Sequence, residues 1–146
     1  MSRQAASVVT DRVRGELIAA ARAAAANAYA PYSGFRVGAA CIGGSGTIHS
    51  GANVENASYG LTICAERVAI FTAIASGDRV LSALVVYTPT AAPTTPCGAC
   101  RQVLTEFGED VSVVCCCDGD DVLDFRSGAL LPERFKLVPP TEGRDS

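Results

Sequence analysis

The stretch LSALVVYTPTAAPTTPCGACRQVLTEFGEDVSVVCCC, residues 81–117, contains the pattern that decides the fold. Its first part, residues 81–89, is nearly all apolar and has the β-branched and aromatic bias of a buried strand. Residues 97–108 are typical of a helix that ends at Gly108, and residues 111–117 form another apolar run of strand length. A strand, a helix and a second buried strand in this order predict an α/β layered domain with a partly parallel sheet.

A helix and a hairpin are predicted before this stretch. The alanine-rich segment from about Thr10 to Tyr29 has apolar residues at helical spacing, Thr10 or Asp11 can cap its start, and Pro31 is expected to end it. Two extended runs, residues 35–43 and 47–55, flank the turn sequence GGSG. They predict an antiparallel hairpin.

A second helix and a surface loop complete the prediction. The stretch CAERVAIFTAIASG places Val68, Phe71 and Ile74 on one helical face and stops at Gly77. Residues 118–128 match no pattern with a role, and a surface loop is expected there. The whole chain, residues 1–146, is predicted to be one domain with a core over about residues 10–138 and flexible termini.

Composition limits the possible partners and compartment. Of the 146 residues 49% are hydrophobic and only 18% are charged, with a net charge of -3, so no electrostatic footprint for nucleic acid is visible. No stretch reaches the roughly 20 apolar residues of a membrane span. The seven cysteines are odd in number, and three of them are adjacent, which suits reduced thiols better than disulfides. These features predict a cytoplasmic protein that binds small molecules rather than nucleic acid or membrane.

Both predicted helices near the centre of the chain begin with cysteine. Cys64 starts one of them, and Cys97 and Cys100 lie in the first turn of the other. Helix amino ends lower a thiol's pKa and favour the thiolate that a metal requires. Three protein ligands leave one corner of a tetrahedral metal for water, which is the arrangement of a catalytic zinc.

A closed structural zinc site would need a fourth ligand. The candidates are Cys41, His49 and the run Cys115–Cys117. Neighbouring strand residues point to opposite faces, so the cysteine run is expected to fill a buried strand and not to form one cluster. His49 is expected at a solvated strand position beside the GGSG turn.

Glu66 follows Cys64 by two residues and offers a group for acid/base chemistry. A carboxylate beside an activated water can take its proton and return it to substrate. Acidic residues are also favoured in the first turn of any helix, so the position alone does not assign the role. Its closeness to three thiol ligands favours the catalytic interpretation.

The motifs Cys64-Ala65-Glu66 and Pro96-Cys97-Gly98-Ala99-Cys100 resemble the signature of the zinc-dependent cytidine deaminases, in particular the small homotetrameric type with three cysteine ligands. PYSGFRVGAA (31–40), NVENASYGLTICAER (53–67) and LLPERF (130–135) fall in that family's order, so the resemblance spans about residues 15–135. It implies a three-layer α/β/α fold with a mixed sheet of about five strands. It also implies one Zn²⁺ per subunit and hydrolytic deamination of cytidine and 2'-deoxycytidine in pyrimidine salvage.

The resemblance also implies roles for several residues outside the metal motif. Asn53 and Glu55, two apart on an extended segment, would hydrogen-bond the ribose 3'-hydroxyl. Phe35 would pack on the pyrimidine ring, and the backbone of Ala65 would contact the base. Phe135 matches an aromatic residue that reaches a neighbouring subunit's site in the homotetrameric members, and Tyr59 resembles a residue at that subunit boundary.

Arg67 has an electrostatic reason to lie near the metal. Three thiolates on a divalent zinc leave a net charge near -1, which weakens the Lewis acidity that the bound water needs. A guanidinium hydrogen-bonded to the sulfurs withdraws part of that charge. The resemblance implies this role for Arg67, which directly follows Glu66.

Other functions remain open at this point. A deaminase of a related small substrate such as blasticidin S shares the metal motifs, although the NVEN stretch favours an ordinary nucleoside. Polynucleotide editing is disfavoured by the negative net charge. A thiol redox protein using Cys97 and Cys100 would need neither Cys64 nor Glu66, and a non-enzymatic zinc-binding module would need a closed site.

Overall fold

The computed structural model of the protein describes residues 9–139. Its elements follow the chain as α1 (Asp11–Ala25), β1 (Gly38–Gly43), β2 (Ile48–Ala52), a 3-10 turn (Tyr59–Leu61), α2 (Ala65–Ala75), β3 (Leu81–Tyr87), α3 (Gly98–Glu106), β4 (Ser112–Cys116), β5 (Leu123–Arg126) and α4 (Ser127–Leu130). The predicted flexible ends, residues 1–8 and 140–146, lie outside the described residues.

The five strands form one mixed sheet in the order β2-β1-β3-β4-β5. β3 and β4 pair in parallel through the α3 crossover, and the other neighbours pair antiparallel. One face packs on Leu17 and Ala21 of α1, whereas the other packs on α2 and α3 through Ala69, Ile70 and Leu104. The predicted hairpin and the three-layer α/β/α architecture with a partly parallel sheet are thereby confirmed.

The first helix is shorter than predicted. Thr10 caps it, as expected, by accepting a hydrogen bond from the backbone N–H of Val13 at 3.3 Å. The helix ends at Ala25, well before Pro31. Beyond the helix, the N–H of Tyr29 donates to the carbonyl of Asn53, the residue directly after β2, at 3.0 Å. Tyr29 therefore bonds to the hairpin and does not continue the helix.

Two glycines let the helices approach the sheet closely. A Cβ on Gly38 would lie 1.8 Å from the Ala21 carbonyl oxygen of α1, and one on Gly51 would lie 2.6 Å from the Ala69 nitrogen of α2. Helix α2 accordingly buries its small residues Ala65, Ala69 and Ala73. Phe71, on the apolar face suggested by the sequence, is 45% exposed. The close approach of Gly51 therefore places the small residues of α2 against the sheet, where Ile70 is buried beside them.

The segment predicted as a surface loop, residues 118–128, is only partly a loop. Its second half forms the edge strand β5, which pairs antiparallel with β4, and begins α4 at Ser127. The prediction failed because an edge strand is mostly solvent-exposed and lacks the alternation of a half-buried one. The cysteine run behaves as predicted, with Cys115 and Cys116 in the cores on opposite faces of the sheet.

His49 is not solvated, contrary to the prediction. It is 9% exposed, and its Nε2 lies 3.0 Å from Oδ2 of Asp78. Asp78 also accepts hydrogen bonds from the Ser45 hydroxyl at 2.6 Å and the Ser45 N–H at 3.0 Å. These contacts, the Ser45 hydroxyl first, hold the pKa of Asp78 below its usual value. The burial was missed because Asp78 lies far from His49 in sequence.

No helix within residues 9–139 combines the length and the apolar character needed to cross a bilayer.

Candidate metal centre and substrate cavity

The structure brings the three cysteines of the motifs together at the amino ends of two helices. Cys64 is the N-cap of α2, Cys97 is the N-cap of α3, and Cys100 lies in the first turn of α3. The Sγ atoms of Cys64 and Cys97 are 3.8 Å apart, and those of Cys97 and Cys100 are 3.4 Å apart. All three sulfurs lie within 4.8 Å of one another.

This cluster fits a tetrahedral zinc ion. Two thiolates on zinc, with Zn–S bonds of about 2.3 Å, lie about 3.8 Å apart, close to the separations seen here. All seven cysteines are free of disulfide bonds. The candidates for a fourth ligand lie elsewhere: Cys41 donates to the Ala69 carbonyl, His49 contacts Asp78, and the run Cys115–Cys117 lies in and directly after β4. The donor set therefore suits three-thiolate binding with one corner left for a non-protein ligand.

Contacts among the thiols and with the adjacent arginine shift the pKa values of these groups. A hydrogen bond from Cys100, followed by contacts with Arg67, lowers the pKa of Cys64. The same hydrogen bond and burial raise the pKa of Cys100. Arg67 donates from Nη2 to Cys64 Sγ at 3.4 Å, and this contact raises the pKa of the guanidinium. Arg67 thus lies where its positive charge acts directly on a cluster sulfur.

Glu66 lies beside the cluster in the first turn of α2 and is 5% exposed. Burial raises the pKa of its carboxyl, and the negative charge of Cys64 adds to the shift. A carboxyl with a raised pKa holds a proton more readily near neutral pH, which suits a group that accepts and returns one.

A cavity of about 210 Å³ opens next to the sulfurs. Four of the predicted residues line it, namely Phe35, Asn53, Ala65 and Glu66, together with Cys64 and Cys97 of the cluster. Val37, Ile63 and Val86 add apolar walls. An apolar slot with a few polar groups and one acid at the metal cluster is typical of a small-molecule site.

Asn53 and Glu55 both hold the loop that carries Phe35. The Asn53 side chain accepts from the Val37 N–H at 2.8 Å and donates to the Phe35 carbonyl at 2.8 Å. Glu55 accepts from the N–H groups of Tyr32 and Ser33 at 2.9 and 3.1 Å, and from the Ser33 hydroxyl. These hydrogen bonds, the hydroxyl first, lower the pKa of Glu55. Sugar binding by this pair stays a prediction, and Glu55 does not line the cavity.

Tyr59 and Phe135 lie outside the cavity of this chain. Tyr59 is 77% exposed and meets Tyr32 edge to face with ring centroids 6.1 Å apart. Phe135 follows α4 and is 73% exposed. Their predicted places at a subunit boundary stay predictions.

Four threonines of the cavity wall were not predicted, and the first of them, Thr62, directly follows the 3-10 turn. Thr88 directly follows β3, and Thr94 and Thr95 precede Pro96 in the loop that leads to Cys97. Thr88 is 2% exposed and shares a hydrogen bond of 2.8 Å with Thr90. The signal was present as a threonine-rich stretch between a buried strand and the Pro-Cys motif.

Comparison with known proteins gives consistent matches. The family model described as cytidine and deoxycytidylate deaminase zinc-binding region matches residues 12–117. A cytidine deaminase of Halalkalibacterium halodurans is 46% identical over 123 residues, covering 84% of this chain and 93% of that protein. A cytidine deaminase of Sporosarcina psychrophila is 51% identical over 92 residues, covering 63% of this chain and 68% of that protein.

Solved structures match over similar lengths. The crystal structure of a cytidine deaminase from Burkholderia pseudomallei superposes with a TM-score of 0.80 at 49% identity, covering 83% of this chain and 98% of that chain. The crystal structure of the cytidine deaminase from Mycobacterium tuberculosis superposes with a TM-score of 0.74 at 41% identity, covering 88% of this chain and 99% of that chain. Since the family model spans well over half of the sequence and contains the whole cysteine cluster, the chain belongs to the cytidine and deoxycytidylate deaminase zinc-binding family.

Proposed function

We propose that the protein catalyses the hydrolytic deamination of cytidine and 2'-deoxycytidine to uridine and 2'-deoxyuridine, with release of ammonia. The observation that carries this proposal is the cavity wall shared by two sulfurs of the cluster and the buried carboxyl of Glu66. A redox pair would need only Cys97 and Cys100. A non-enzymatic zinc module would require neither a buried acid nor an open cavity at the metal cluster.

The residues of the chain divide the chemistry among them. Zinc held by Cys64, Cys97 and Cys100 would supply the Lewis acidity that brings water toward ionisation near neutral pH. Glu66 takes a proton from the attacking water and passes it to N3 of the pyrimidine as the water oxygen bonds to C4. It then takes the proton of the new C4 hydroxyl and delivers it to the amino group, so that the C4–N bond breaks and ammonia leaves. The raised pKa of Glu66 supports both proton uptake and proton delivery by the same group.

Arg67 tunes the sulfur cluster. Its contact with Cys64 Sγ at 3.4 Å places a positive charge against the excess negative charge of three thiolates. Because less electron density is then donated by the sulfurs, the acidity that zinc supplies is preserved.

Substrate binding follows from the groups around the cavity. Phe35, 39% exposed at the cavity mouth, offers a ring for stacking on the pyrimidine. The backbone at Ala65 contacts the base, and Asn53, on the cavity wall, binds the ribose 3'-hydroxyl together with Glu55, which lies outside the wall and holds the adjoining Phe35 loop. This arrangement selects a nucleoside over a free base.

The assembly and the cellular setting belong to the same proposal. Exposed aromatic residues Tyr59, Phe71 and Phe135 support a homotetramer in which neighbouring copies cover them. Seven free thiols support a reducing compartment, the cytoplasm, and the substrates place the enzyme in pyrimidine salvage.

Direct turnover tests the proposal. Metal-analysed protein is incubated separately with cytidine, deoxycytidine, cytosine and blasticidin S, and the products and ammonia are quantified. The proposal predicts rapid, chelator-sensitive conversion of the two nucleosides and little conversion of cytosine. Preferred conversion of blasticidin S assigns the alternative substrate. Bound zinc without any product indicates a non-enzymatic module.

A further inference from the structure

The loop that delivers Cys97 to the metal cluster has no regular secondary structure. It runs from Thr88, directly after β3, to Cys97, the N-cap of α3, and it also forms the Thr94 and Thr95 part of the cavity wall. Cys97 is itself exposed, so packing of its own side chain does not fix it. Something else must hold the residues directly before it.

The side chain of Arg101 makes the contacts that do so. From the fourth position of α3 it reaches back, and its Nε donates to the Pro96 carbonyl at 2.8 Å. Its Nη2 donates to the Thr95 hydroxyl at 3.2 Å. The two residues that immediately precede Cys97 are therefore both bound to one guanidinium.

The third nitrogen of Arg101 fixes the guanidinium from the other side. Its Nη1 donates to the carbonyl of Leu130, the last residue of α4, at 2.9 Å. All three nitrogens thus have acceptors, drawn from two separate parts of the chain. Only the planar fork of arginine can serve three acceptors in this geometry, because a lysine presents a single nitrogen.

We propose that Arg101 is a positioning residue that holds the loop Thr94–Cys97 in the geometry needed for metal binding by Cys97 and for the cavity wall. Arg101 touches neither the sulfurs nor the cavity and acts through the loop. Its role is separate from that of Arg67, which contacts a sulfur directly. The part of this inference that concerns substrate rests on the proposed function, whereas the part that concerns metal does not.

The test compares Arg101→Lys with Arg79→Lys. Arg79 also donates to a backbone carbonyl, that of Ile74, but lies after α2 and away from the cluster. Zinc dissociation constants are measured by competition with a chromophoric chelator on folded protein, and KM and kcat are measured with cytidine. We expect Arg101→Lys to weaken zinc binding about tenfold, which is at the lower end of the losses typical when a residue that orients a metal ligand is replaced. We also expect the substitution to raise KM more than it lowers kcat. Arg79→Lys should match the parent.

The outcomes separate the two proposals. Unchanged zinc affinity and KM in Arg101→Lys overturn the role of Arg101 and leave the proposed function standing. Weakened zinc binding in a protein whose parent form does not deaminate cytidine overturns the function and leaves the role of Arg101 standing. If Arg101→Lys does not fold, Thr95→Val, which removes one of the three acceptors, decides the matter. A zinc dissociation constant raised about threefold supports the role, and an unchanged one overturns it.

Discussion

Replacing Glu66 with glutamine tests the acid/base role with the smallest change in shape. Glutamine keeps the size and the hydrogen-bonding oxygen of the side chain, but it cannot take up a proton near neutral pH. Glu66 is 5% exposed, so the substitution introduces no new contact with solvent. Zinc content should therefore stay at the parent level.

The size of the effect follows from what else lines the cavity. General acid/base catalysis contributes about 10²–10⁴-fold, which corresponds to about 3–5 kcal/mol in activation free energy. Among the described residues that line the cavity, Glu66 is the only carboxylic acid, and none is a histidine. Since no neighbour can replace it and it is proposed to serve more than one transfer, kcat should fall by about 10⁴ or more.

The assay follows the loss of cytidine absorbance, with zinc measured by mass spectrometry on the same samples. Glu106→Gln is the matched control, because Glu106 is an exposed acid at the end of α3, outside the cavity. It should leave kcat unchanged. A Glu66→Gln enzyme with full zinc and a kcat within tenfold of the parent would refute the assigned role of Glu66.

Three further predictions concern metal binding and stability. Cys97→Ala should lose zinc and unfold at a lower temperature, because metal binding is coupled to folding, whereas Cys41→Ala should keep zinc; full zinc in Cys97→Ala contradicts this. Because the pKa of Asp78 is lower in the folded than in the unfolded protein, its ionised carboxylate stabilises the fold at pH values above the unfolded pKa of about 3.9. This stabilisation is lost as the pH falls through the pKa that Asp78 has in the folded protein. In urea titrations the stability gap between parent and Asp78→Asn should accordingly narrow below about pH 4, and a pH-independent gap argues against it. Gly51→Ala should destabilise the protein by about 1–3 kcal/mol, because the added methyl group collides with α2. Gly15→Ala, in open space on α1, is the control and should stabilise the protein by about 0.5–1 kcal/mol. Similar denaturation midpoints for the two variants would contradict the close approach of Gly51 to α2.

Local patterns predicted much of the fold. The continuous apolar runs that became β3 and β4 and the helix between them are strong signals because both faces of those strands are buried. The edge strand β5 was missed because it exposes most of its residues. The alanine face of α2 was missed because its burial depends on Gly51, which approaches from another element.

The site was predicted to a similar extent. Cys97 and Cys100 could be placed together because residues three apart share a helical face, whereas Cys64, 33 residues before Cys97, was joined to them by its own position at a helix start and by the resemblance. The partner of His49 and the threonine part of the cavity wall depend on contacts between distant segments, which composition does not reveal. The contacts of Asn53 and Glu55 with the Phe35 loop likewise appear only when the chain is folded.

In the proposed site three cysteine sulfurs hold one zinc ion and leave its fourth position to a light, non-protein atom. X-ray absorption at the zinc edge of the purified protein measures this directly. Three-thiolate binding predicts one zinc per chain with three sulfur neighbours at about 2.3 Å and one oxygen or nitrogen neighbour at about 2.0 Å. A first shell of four sulfurs, or of fewer than three, would contradict it.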